Sequence, residues 1–135
     1  MLPCTPLNIV GVKIMIGQDK IFPDSTMTTD GDLYEVEVYT LKDSTCLITA
    51  RVSARAIDGT SATWEFKQGA KQIGANDTVL LGIINEVSFK DTGAATWDSG
   101  LCISNEDGKL IAIQVQGQAS TNINWVFQLD ILKVE

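Results

Sequence analysis

Polar and apolar residues alternate along most of this chain with a period of two. Over residues 33–41, Tyr34, Val36 and Val38 fall on one side and Glu35 and Glu37 on the other. The rhythm runs longer over residues 45–56. There Cys46, Ile48, Ala50, Val52 and Ala54 share one face, and Thr49, Arg51, Ser53 and Arg55 share the opposite one. Successive side chains of a strand point to opposite faces, so these runs predict half-buried antiparallel strands. Asp58-Gly59 predicts a type I′ hairpin turn, whose two central residues both need positive φ. Residues 62–67 return with Trp64 and Phe66 inward and Thr63, Glu65 and Lys67 outward.

A loop rich in Gly, Asn and Asp is expected over 69–77. Residues 78–84 form a nearly continuous apolar run, which reads as a more deeply buried strand. Strands are also expected over 97–104 and 109–116, with a turn at 105–108 between them and a bend over 117–121 after them. The clearest strand is 122–134, where Ile123, Trp125, Phe127, Leu129 and Ile131 point one way and Asn124, Gln128 and Asp130 the other. No segment holds a helical period for more than about two turns. Pro3, Pro6 and Pro23 lie outside the strong strand runs, where they interrupt no ladder. The expected fold is all-β: an antiparallel, jelly-roll-like β-sandwich of about eight strands. Residues 33–135 would form the domain. Residues 1–32 would form an N-terminal strand or arm, with the longest irregular stretch at 17–32.

Composition narrows the function. With 135 residues the chain suits one domain with its own core. The hydrophobic fraction is 44% and the mean hydropathy +0.10, in the range of globular proteins. No apolar run approaches the ~20 residues of a membrane-spanning helix. The N-terminus has no basic residue before its apolar stretch and no small-residue cleavage site, so no secretory signal is expected. The formal charge of −7 repels phosphate backbones and argues against nucleic-acid partners.

Candidate chemistry is sparse. The sequence has no histidine, which removes the commonest general base and metal ligand at neutral pH. Cys4, Cys46 and Cys102 are irregularly spaced without a C-x-x-C pair, which argues against structural zinc. Cys46 and Cys102 read as small apolar strand residues, reduced, in a chain made in a cytoplasm. No G-x-S-x-G elbow or Ser-x-x-Lys pair is present, and Cys102 lies between apolar neighbours that raise a thiol's pKa. Glu35 and Glu37 sit ~7 Å apart along one strand face and read as solvated residues. Asp30-Gly31-Asp32 and Asn105-Glu106-Asp107 lack the spacing of a calcium loop and read as turns. No enzyme activity, cofactor or metal is expected. Trp64 and Trp125 alternate as core residues do. Trp97 follows Gly93-Ala94-Ala95-Thr96 at a loop-to-strand edge, where it could meet a glycan. Arg51 and Arg55 read as solubilising or inter-subunit residues.

From about residue 45 onward, the order of features resembles a β-rich module of bacteriophage tail and tail-fibre proteins. The pieces are Ile48-Thr49-Ala50-Arg51-Val52-Ser53-Ala54-Arg55, Ala62-Thr63-Trp64-Glu65-Phe66, Ala95-Thr96-Trp97-Asp98, Leu110-Ile111-Ala112-Ile113-Gln114-Val115-Gln116-Gly117 and Ile123-Asn124-Trp125-Val126. The most specific is the spacing of the second and third tryptophans around an acidic Asp-Gly hairpin. The resemblance implies a virion component without enzymatic role, homo-oligomeric and commonly trimeric, touching other virion proteins. A tail-fibre or tail accessory piece, or a capsid decoration protein, fits the length, and an N-terminal arm could dock it by strand addition. It brings no site residues with it. The alternative from the residues is a carbohydrate-binding module with Trp97 at its site; fold alone does not separate the two.

Overall fold

A computed structural model of the protein describes residues 23–104 and 107–135, and the backbone of two short strands, β1 (Asn8–Ile9) and β2 (Ile14–Ile16). The longer strands are β3 (Asp24–Thr28), β4 (Leu33–Thr40), β5 (Ser44–Ala56), β6 (Ser61–Gln72), β7 (Val79–Lys90), β8 (Asp98–Ile103), β9 (Leu110–Gln116) and β10 (Ile123–Val134). They form two sheets. One runs β4–β9–β8, with β1 and β2 both parallel to β4; the other runs β3–β10–β5–β6–β7, antiparallel throughout. This is the expected antiparallel β-sandwich.

The period-2 residues of β5 and β10 meet those of β4 and β9 in the core. Ile48, Ala50 and Val52 from one sheet and Val36, Ile111, Ile113 and Val115 from the other are shut from solvent. The central strand β5 is lined with small residues for a geometric reason. Ala54 sits opposite Trp125 on β10, and Val52 sits opposite Trp64 on β6. The short side chains leave room for the two indoles to stack across β5, with ring centroids 5.6 Å apart. Trp97 joins them at 6.4 Å from Trp125. Trp125 Nε1 donates to Thr28 Oγ1 at 2.8 Å, which ties edge strand β3 to the core.

Several details depart from the sequence expectation. The stretch 17–32 contains β3, five residues paired antiparallel with β10; residues 17–22 of that stretch lie outside the described residues. Strand β6 runs on to Gln72, through part of the expected loop. Between β5 and β6 the positive φ is found at Gly59 alone, 92°, and not at Asp58. Gly59 N–H donates to Ala56 O, and Ala56 N–H donates to Thr60 O, so the connection is a three-residue loop rather than a type I′ turn. Asp58 Oδ1 accepts the Thr60 N–H at 2.9 Å, and this bond holds its carboxyl below the usual range.

The carboxylates of β4 are a further correction. Glu35 is 1% exposed and Glu37 0%, not solvated. The alternation reading assumed one wet face, but this sheet is buried on both. A bulge between Glu35 and Glu37 also breaks the alternation: Glu35 stands opposite Gln114, Glu37 opposite Ile113, and Val38 opposite Ala112 in a small cluster with Cys102. Glu35 is satisfied by Ser104, whose Oγ donates to it at 2.6 Å.

The cysteines divide. Cys102 is disulfide-bonded, which corrects the expectation of a reduced thiol. Cys46 is free and buried, and burial pushes its pKa up to about 11 against a weaker opposing pull from Lys133. The thiolate is the reactive form, so Cys46 in the native chain should stay unlabelled by a thiol reagent at pH 8 and react once denatured. Peptide mapping checks this; native labelling as fast as denatured labelling would refute it.

Candidate interaction surface

The outward residues of β5 and its neighbours line up in rows because the strand register sets them opposite one another. One row runs Leu132, Leu47, Gly69, Leu81 across β10, β5, β6 and β7. The next runs Val134, Thr45, Lys71, Val79. Leu132 is 72% exposed, and Leu47, Leu81, Val79 and Val134 are exposed beside it. A cluster of exposed branched side chains on one end of a sheet face is a feature of association sites, whereas single exposed apolar residues are ordinary.

Farther along the same face the rows turn polar. Arg51, Ser53, Thr63, Glu65, Val87 and Phe89 line a shallow groove of about 280 Å³. Arg51 Nη2 bonds the Asp130 carboxylate across β5 and β10. Phe89, 71% exposed, forms one wall. An open hollow with a guanidinium, a carboxylate, two hydroxyls and one ring can take polar ligands edge-on. It offers no general acid–base pair enclosed against water.

Strand β7 is the edge of the five-stranded sheet, paired with β6 alone among the described residues. Its apolar stretch 78–84 was expected to be deeply buried, and this is corrected: Val79, Leu81 and Ile83 are exposed, Ile83 at 96%. Of this run only Leu80 and Ile84 pack on the core, and both are partly buried. A register shift between Lys67 and Gly69 bulges the strand at Gly82, whose φ of 74° suits glycine. The buried Gln68 amide fills the gap, donating to Leu81 O and Gly69 O, each at 2.9 Å. From Asn85 to Lys90 pairing is regular again.

The structure separates the sequence-based candidates. Trp97 is 1% exposed, its Nε1 donating to Gln118 Oε1 at 3.2 Å, so it is a core ring and not a ligand platform. It escaped recognition as core because its flanks do not alternate. Arg51 lies at the groove. Arg55 projects from the same face one row beyond Ser53, near the Gly59 loop. Phe89 and Val87 were missed, because the strand was expected to stop at residue 84. Among the described residues no cluster of His, Cys, Asp or Glu is placed to hold a metal. The Asp30 carboxylate accepts the Tyr34 hydroxyl at 2.8 Å, a bond that pushes the phenol up to about 12. Of the other acidic turn, Asn105 and Glu106 lie outside the described residues. Among the described residues no helix is long and apolar enough to cross a membrane.

No protein-family model matches the chain, and no curated protein matches it. Among solved structures it is similar to the tailspike protein of Acinetobacter phage vB_ApiP_P1, with a TM-score of 0.43 and 14% identity, over 82% of this chain and 21% of that one. It is also similar to the tailspike protein of Acinetobacter baumannii phage AM24, with a TM-score of 0.38 and 8% identity, over 84% of this chain and 27% of that one. The chain thus spans 21% and 27% of these two tailspikes.

Proposed function

We propose that this chain is a non-enzymatic structural module of a phage-tail-type virion, acting through protein–protein assembly. The observation that carries the reading is the apolar end of the outer sheet face, where Leu47, Leu81, Leu132 and Val134 stand exposed in adjoining rows. Displaying these side chains to water gains nothing, and covering them gains association energy. The motif order of residues 45–135 supplies the phage-tail part of the reading and implies copies joined as a homo-oligomer, commonly of three. The formal charge of −7 favours solubility before assembly.

The glycan-binding alternative loses Trp97 and retains the groove beside Phe89 and Arg51, a shallower platform. Mass spectrometry of purified particles from a phage that encodes the chain tests the virion reading. The chain should be present at a fixed copy number per particle. Its absence from particles, with free chain left in the lysate, would overturn the reading.

A further inference from the structure

We propose that the β7 edge of one copy pairs antiparallel with β7 of a second copy, about a twofold axis at Ser88. The contact continues the five-stranded sheet from one copy into the next. It goes beyond the assembly reading, since it uses an edge rather than the apolar end of the face.

The starting observation is that β7 is long and, among the described residues, uncovered at its outer edge, largely apolar over 79–84 and mixed polar and apolar over 85–90. All of its residues are exposed except Leu80 and Ile84, and no proline interrupts it. Sheet edges of this kind present unpaired backbone groups, and proteins blunt them or pair them. The bulge at Gly82 spoils the first half of the strand for a straight partner. The regular half, Asn85 to Lys90, remains.

The sequence of that half selects one register. With Ser88 opposite Ser88 of a second copy, Glu86 faces Lys90 of that copy, and the same pair recurs on the other side of the axis. On the outer face Val87 then faces Phe89 of the second copy, also twice. Apolar and opposite-charge pairs directly across an antiparallel ladder are the stabilising ones. Shifting the axis to Glu86 sets two carboxylates opposite each other, and shifting it to Val87 sets Asn85 against Phe89 and Ile84 against Lys90. Lys90 keeps capacity for the new contact: its ammonium has three donors, of which one goes to Trp97 O at 2.6 Å. The face of the partner strand would also close the open side of the groove at Phe89 and Val87.

A cysteine at the axis tests the pairing. Residues opposite each other in an antiparallel ladder have Cα atoms ~4.5–5.5 Å apart, inside the range that a disulfide spans. The variant Ser88→Cys, made in the native chain and also together with Leu47→Asp and Leu132→Asp, should form a covalent dimer in most molecules under mild oxidation. Ser53→Cys, exposed on the same sheet away from the edge, should form little. Adding Glu86→Lys should slow the Ser88→Cys cross-link severalfold, because it sets two cations opposite each other. If Ser88→Cys cross-links no faster than Ser53→Cys while the native chain is oligomeric, the β7 pairing is overturned and the assembly reading stands. If the native chain is also monomeric, both fall.

Discussion

Replacing Trp125 by alanine is expected to lower the stability of the fold by about 3–5 kcal/mol, the usual cost of truncating a buried large aromatic. The ring is fully buried and lies at the centre of the aromatic group, 5.6 Å from Trp64 and 6.4 Å from Trp97. Truncation opens a cavity against two other indoles that the alanines of β5 cannot fill. It also removes the donor to Thr28 Oγ1, and with it the one side-chain bond that ties β3 to the core among the described contacts. Trp125→Phe keeps most of the ring and loses the hydrogen bond, so it should cost less than the alanine variant. Thr28→Val, which loses only the acceptor, should cost about 1 kcal/mol. Urea unfolding followed by circular dichroism orders the three. A total stability of about 5–15 kcal/mol makes the alanine variant marginal. If it unfolds like the native chain, the packing described for Trp125 is wrong.

The second large effect concerns association. Leu47→Asp with Leu132→Asp should weaken contacts made through the apolar end of the sheet by about two orders of magnitude, while the fold is kept. Both side chains already face water in the single chain, so the fold should lose only about 1 kcal/mol, chiefly because the two new carboxylates stand directly opposite each other across β5 and β10. In an interface the same carboxylates are buried unpaired, at a cost of about 2–3 kcal/mol or more, and every 1.4 kcal/mol is about tenfold in affinity. The unfolding midpoint of the dilute variant reports on the fold, and its mass at high concentration reports on the contact. An unchanged mass would move the association site off this face.

Much of the architecture was legible in the residues. Strands β5 and β10 follow from alternation, and Trp64 and Trp125 take their core places from their positions within it. The misreadings have specific causes. Strand β3 is Asp-Ser-Thr-Met-Thr, a polar edge strand held by backbone pairing with β10 and by one tryptophan donor, so no hydrophobic rhythm announces it. Strand β7 is an exposed edge, and an apolar run alone does not distinguish an edge from a buried strand. Glu35 and Glu37 alternate as solvated residues do, yet their sheet is covered on both sides and Ser104 satisfies the first of them. Trp97 sits after a short 3₁₀ turn, Thr92–Ala94, that breaks the period just before its ring enters the core. The groove at Arg51 and Phe89 joins three strands, and its register depends on a bulge that no residue pattern specifies.

The central claim is that this chain works by assembling, and solution mass by light scattering across a dilution series tests it most directly. The account predicts a multiple of the 14.6 kDa chain mass at high concentration, falling towards 14.6 kDa on dilution and falling sooner for Leu47→Asp with Leu132→Asp. A constant 14.6 kDa at every concentration would contradict it.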